Sequence, residues 1–128
     1  MITDRTWTYE QATGWWIDPT GKLIFKDGYA GRGAGLNNPD MQDVEGVGPL
    51  PRGLYVAGEP HDDPKVGKYA MRLTPSDTNE MFGRACFFMH GDNAEENHTA
   101  SEGCIVLPLY LRTQFWNSGD HNIQVTHG

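Results

Sequence analysis

The chain has 128 residues, a formal net charge of −7, and 38% hydrophobic with 11% aromatic residues. That length fits one domain spanning 1–128, burying roughly two-thirds of its unfolded surface. The acidic balance and lack of a Lys/Arg cluster exclude a nucleic-acid partner, and no run reaches the ~18 apolar residues that cross a bilayer.

The opening Met1-Ile2-Thr3-Asp4-Arg5 lacks the basic and apolar regions of a secretory signal, so synthesis in the cytoplasm without a signal peptide is expected. Sixteen glycines and eight prolines point to short strands joined by many turns. An anionic ligand must be held by a few local cations, since the field of the whole molecule repels it.

In chain order, Trp7, Thr8 and Tyr9 alternate weakly as a first strand. Trp15-Trp16-Ile17, the turn Asp18-Pro19-Thr20-Gly21 and Lys22-Leu23-Ile24-Phe25 read as a β-hairpin. Residues 28–48 carry no hydrophobic period and read as a long ordered loop; a loop of this length in a compact domain is usually functional or disordered. Gly48-Pro49-Leu50-Pro51-Arg52-Gly53 is a rigid turn into a strand over 54–57, and residues 61–64 form a polar loop. Short strands follow over 69–73 and, buried, over 85–90, then an apolar run over 105–107. Residues 108–117 make the one good helix: Pro108 in its first turn, Leu107, Leu111 and Phe115 on one face, and Gly119 just beyond. Residues 122–126, with Ile123 and Val125 on one side, close the chain as a strand. The pattern predicts a mostly β, β-rich α+β fold with one late helix.

The chemistry concentrates in His90-Gly91-Asp92 and Ser101-Glu102-Gly103-Cys104-Ile105, with thirteen residues between His90 and Cys104. A cysteine becomes a nucleophile when a nearby imidazole takes its proton and stays beside the thiolate as a cation. The amides of Gly103 and Cys104 are candidate donors to the oxygen of a tetrahedral intermediate, at about 3 kcal/mol for a good bond. Ser101 either bonds the backbone of this turn or touches substrate. Asp92 accepts from a backbone amide or from His90. Cys86, four residues before His90 on the expected strand, lies ~13 Å from it. A Cys104 close to His90 is therefore too far for a disulfide to Cys86, which reads as a buried structural thiol. A zinc site from His90, Asp92, His98 and Cys104 lacks a close ligand pair at a usual spacing, so no metal is expected. Ser76 and Ser118 have no Gly-x-Ser-x-Gly context.

His-Gly followed by Ser-x-Gly-Cys-Ile resembles the signature of L,D-transpeptidases of the YkuD type. Gly48-Pro49-Leu50-Pro51-Arg52-Gly53-Leu54-Tyr55 resembles that family's Pro-x-Gly-x-Tyr/Phe entry to a core strand, and the late helix, the turn at Gly119 and the last strand resemble its C-terminal end. The Gly31…Asn37-Asn38-Pro39 loop is closer still to a small subgroup, the DUF2778 or Tlde1-like group, which includes type VI secretion effectors that attack peptidoglycan. The resemblance covers roughly residues 15 to 126.

The resemblance implies a β-sandwich with a C-terminal helix. It also implies Cys104 as nucleophile, His90 as base and then acid, and Ser101 and Gly103 as shapers of the catalytic turn. Gly91, Asp92 and Arg84 are then substrate-side candidates. The expected reaction is attack on a tetrapeptide stem at the L-centre of meso-diaminopimelate with loss of D-alanine. Water, a D-amino acid or another stem's amine would resolve the thioester, and the resemblance implies that no cofactor is required. Typical members carry His or Arg where Glu102 stands, and Arg where Val106 stands; Arg84 or Arg32 is a candidate replacement for the latter. The expected partners are peptidoglycan stem peptides and a cognate immunity protein. The expected site of action for this monomer is the periplasm of a target cell. A thiol amidase or endopeptidase, and an inactive wall-binding module, are the competing readings.

Overall fold

The computed structural model describes residues 5–92 and 101–128. Nine strands and one α-helix follow in order: β1 Thr6–Glu10, β2 Trp16–Ile17, β3 Leu23–Phe25, β4 Gly53–Ala57, β5 His61–Asp63, β6 Gly67–Pro75, β7 Phe87–His90, β8 Ile105–Val106, α1 Leu109–Asn117 and β9 Asn122–Thr126. Among the described residues this is the β-rich α+β class that the sequence pattern predicts.

The strands form one mixed sheet in the order β3-β2-β1-β9-β4-β6-β7-β8, with β5 paired to β6. β9 lies parallel to β1 and antiparallel to β4, so the last strand to be made sits near the centre. Its alternation puts Ile123 and Val125 in the core and leaves Asn122, Gln124 and Thr126 half-buried.

The sheet curls. Laid flat, seven strand spacings of ~4.8 Å would hold β3 and β8 about 34 Å apart. Yet Tyr29, four residues beyond the end of β3, bridges to Val106 in β8, and four extended residues span only ~14 Å. The helix α1 fills the concavity. Phe115 meets Trp7 and Trp16 edge-on at 5.7 and 5.5 Å, and those two indoles stack at 5.1 Å. α1 also packs on β7. Full burial of Trp16, Phe115, Ile123 and Ile105 is worth ~1.5–3 kcal/mol each for the aliphatic and phenyl side chains. Gly119, at φ +81, takes the left-handed conformation that ends the helix.

Three local expectations need correction. Residues 61–63, read as polar loop, form the strand β5, because Asp62 and Asp63 point their carboxylates at the amides of Tyr69, Lys65 and Val66 and so bind the turn they flank. The strand expected over 69–73 extends from Gly67 to Pro75. The buried strand expected over 85–90 begins only at Phe87, and both Ala85 and Cys86 are exposed.

The long loop after β3 is ordered by two 3-10 turns, Gly33–Gly35 and Pro39–Met41. Gly35 and Gly48 are packed so tightly that an added Cβ would meet the carbonyls of Val47 and Met41 at 2.1 and 1.6 Å. Among the described residues no helix is long and apolar enough to cross a membrane.

Candidate active site

β7 and β8 run parallel, with Met89 opposite Ile105 and His90 opposite Val106. Met89 and Ile105 point into the core. The alternation of side chains then sends Phe88, His90, Cys104 and Val106 to the other face. Cys104 stands level with Phe88, whose amide donates to its Sγ at 3.3 Å, and His90 is one pleat repeat along the same face. His90 and Cys104 line a common cavity of about 630 Å³, with Lys65, Arg84, Glu45 and Glu102 also on its wall. His90 ends β7 and Cys104 immediately precedes β8, so two residues well apart in sequence line one cavity.

The histidine is 2% exposed, and its Nδ1 lies 2.7 Å from the Gly91 carbonyl oxygen. A carbonyl only accepts, so Nδ1 carries the proton and Nε2 keeps its lone pair. The group that orients His90 is therefore the next residue's own backbone. Burial pulls the imidazole below its ordinary value, and the nearby Arg112 guanidinium adds to this against the opposing Gly91 bond. Burial likewise pushes the Cys104 thiol up, more than the Phe88 amide pulls it down. Both shifts act against the charged forms of the two groups.

The turn before Cys104 is built around Ser101, which is fully buried. Its hydroxyl donates to the Cys104 carbonyl at 2.7 Å and accepts from the amides of Gly103 and Gly31, both at 3.0 Å. One side chain thus ties the Cys104 turn to the long loop. Ser101 takes the backbone-binding alternative. The Gly103 amide is consequently engaged internally and is not available to an oxyanion, contrary to the expectation from sequence. Gly103 itself is required: at φ +136 its Cβ would meet Arg84 Nη2 and Phe87 at 2.7 Å.

Arg84 is 6% exposed, with all four Nη bonds on carbonyls: Nη1 to Gln42 and Pro49, Nη2 to Gly48 and Glu102. Its guanidinium also lies 5.0 Å from the centre of the Phe87 ring. It braces the long loop against the Cys104 turn and presents positive charge to the cavity wall. Arg32 is exposed on the loop and is not among the residues lining the cavity. Cys86, expected as a buried structural thiol, is exposed at the edge of the same cavity, at φ +66. It precedes β7, so the apolar run around it does not bury it.

Asp92 accepts from the Tyr29 hydroxyl at 2.6 Å and borders a second cavity of about 410 Å³ that Gly91 and Arg112 also line. His98 lies outside the described residues. Among the described residues no cluster of three or more His, Cys, Asp or Glu could hold a metal ion.

Sequence reasoning missed Arg112, Tyr29 and Lys65. Arg112 sits on the inner side of α1 beside Leu111 and is 6% exposed. A charged residue interrupting the apolar face of the one helix was the available signal.

No curated protein sequence matches the chain. A family model, the Tlde1 domain, matches residues 25–126, from the end of the first hairpin through the last strand, and so takes in His90, Ser101, Gly103 and Cys104. The chain belongs to the Tlde1 domain family, a domain of type VI secretion effectors.

Proposed function

We propose that the protein is a peptidoglycan-directed cysteine acyltransferase of the L,D-transpeptidase/L,D-carboxypeptidase kind, acting as an antibacterial effector. One observation carries this reading: His90, with Nδ1 tied to Gly91 and Nε2 left unprotonated, shares a sheet face and a cavity with Cys104.

In this mechanism Nε2 takes the Cys104 proton as the sulfur attacks the carbonyl at the L-centre of meso-diaminopimelate in a tetrapeptide stem. With the Gly103 amide engaged, the Cys104 amide is the turn's remaining donor to the oxyanion. The tetrahedral intermediate collapses, the C–N bond to D-alanine breaks, and the imidazolium returns its proton to the departing amine. The thioester is then attacked by water, by a D-amino acid or by a second stem's amine; His90 removes the nucleophile's proton and the thiol is released. No metal or organic cofactor enters these steps. Lys65 and Arg84 supply local positive charge for an anionic muropeptide on a chain of net charge −7.

Trimming or exchanging donor stems deprives normal cross-linking of substrate, which weakens a target wall. A producer then needs a cognate immunity protein, most simply one that plugs the cavity. The test is mass spectrometry of tetrapeptide muropeptides after exposure to wild type and Cys104→Ala. Loss or replacement of the terminal D-alanine by the wild type alone supports the reading. Release of whole stems from muramic acid would instead identify an amidase, and identical digests from both proteins would leave only a wall-binding role.

A further inference from the structure

The second cavity is lined by Gly91 and shares no lining residue with the cavity of His90 and Cys104. Its walls are apolar (Phe25, Leu107, Pro108 and Leu109), and Arg112 is the cation among its lining residues. Arg112 is more than nine-tenths buried. Its Nε donates to the Leu107 carbonyl at 3.0 Å, and its Nη1 to those of Lys68 and Tyr69 at 2.8 and 2.9 Å. Nη2 has no hydrogen-bond partner among the described residues, although it reaches Gly91 so closely that an added Cβ there would stand 2.7 Å away. The ion pairs of the described residues, Arg5–Asp120 and His61–Asp63, do not involve it.

Three carbonyls fix the guanidinium plane while one end is left to donate into a cavity. Burying a cation without a counter-charge costs several kcal/mol. A guanidinium fork held in this way suits a carboxylate. Asp27 and Asp92, the latter already taking the Tyr29 bond, border the same cavity. A dianion such as phosphate is repelled by them, whereas a zwitterion brings its own ammonium.

We infer that the cavity over Arg112 is a binding subsite for the α-carboxylate of an amino acid, held by Nη2 beside Gly91 and separate from the Cys104 cavity. The carboxylate chemistry stands on the cavity alone; the choice of D-alanine as probe rests on the proposed reaction. As occupant, a D-amino acid would wait next to the residue that carries His90.

The test is amide-resolved NMR titration of Cys104→Ala protein, in which no thioester forms, with D-alanine, D-alaninamide, N-acetyl-D-alanine and inorganic phosphate. D-alanine is expected to give saturable shifts at Gly91, Leu107 and Arg112, with D-alaninamide about tenfold weaker or worse, the loss of one charge-assisted bond. Arg112→Lys, checked for an unchanged fold by circular dichroism, is expected to weaken D-alanine similarly. N-acetyl-D-alanine binding as well as D-alanine assigns the subsite to a peptide C-terminus; preference for D-alanine assigns it to the free amino acid. Equal binding of the amide, phosphate binding as tightly, or no saturable shift at these amides overturns the subsite. Because binding is read without turnover, an inactive wild type on muropeptides would count against the reaction and leave this result standing.

Discussion

Cys104 and Cys86 border one cavity from opposite settings. Cys104 enters β8 from a turn held on three sides: Ser101 binds its carbonyl, the Phe88 amide binds its sulfur, and Arg84 grips the carbonyl of Glu102. Cys86 stands outside β7 on exposed backbone in the left-handed region, and no hydrogen bond to its sulfur is found among the described residues. A thiol is therefore made useful by what fixes its direction and its neighbours. Exposure alone gives reactivity without aim.

The sharpest way to break this contrast is substitution. Cys104→Ala is expected to lower D-alanine release from muropeptides by about 10⁴-fold or more, while Cys86→Ala stays within about twofold, as for other exposed positions. Comparable losses in both would show that the cavity edge takes part in the chemistry.

Next in size is the turn itself. Gly103→Ala forces a Cβ against Arg84 and Phe87 at an unfavourable φ, and should cost about 3 kcal/mol in urea unfolding. Ser101→Ala strands the buried amides of Gly31 and Gly103, at about 1–3 kcal/mol. It should also slow turnover, because Cys104 loses its carbonyl anchor. Stability unchanged by both variants would mean that the turn is not what positions the sulfur.

A subtler probe is pH. The His90 value is depressed in the fold, so its contribution to stability is present above the ordinary 6.5 and is lost as pH falls through the lower folded value. The Cys104 value is raised, so its contribution is present below the ordinary 9.0 and is lost as pH rises through the higher folded value. Thermal melts of wild type should fall faster on the acid side than those of His90→Gln, and faster on the alkaline side than those of Cys104→Ala. Iodoacetamide should label exposed Cys86 first at neutral pH, with Cys104 labelling rising only in alkali. Rapid Cys104 labelling that stays level below neutrality would reveal a preformed thiolate and overturn the raised Cys104 value.

The smallest effect is expected at Cys86. Replacing it with Asn, which tolerates positive φ, should change stability by less than about 1 kcal/mol.

Much of the fold was legible in residue order. The hairpin turn at Asp18-Pro19-Thr20-Gly21, the β9 alternation around Ile123 and Val125, and the helix bounded by Pro108 and Gly119 all follow from local stereochemistry and period. β5 was not legible, because its pairing with β6 depends on Asp62 and Asp63 binding amides of the same turn, an arrangement that looks merely polar in sequence. Cys86 misled for a related reason: its apolar neighbours are strand residues, whereas the chain turns at Cys86 itself.

The sequence by itself singled out His90 and Cys104 as the candidate pair, since a histidine-glycine and a Ser-x-Gly-Cys turn are local patterns that need no partner to be recognised. Tertiary structure alone decided that the two share a sheet face, that Gly91 sets the histidine tautomer, that Ser101 takes up the Gly103 amide, and that buried Arg84 and Arg112 line two different cavities. Those outcomes depend on strand register and on which carbonyls lie within about 3 Å of a donor. Both are fixed only when segments distant in the chain are packed together.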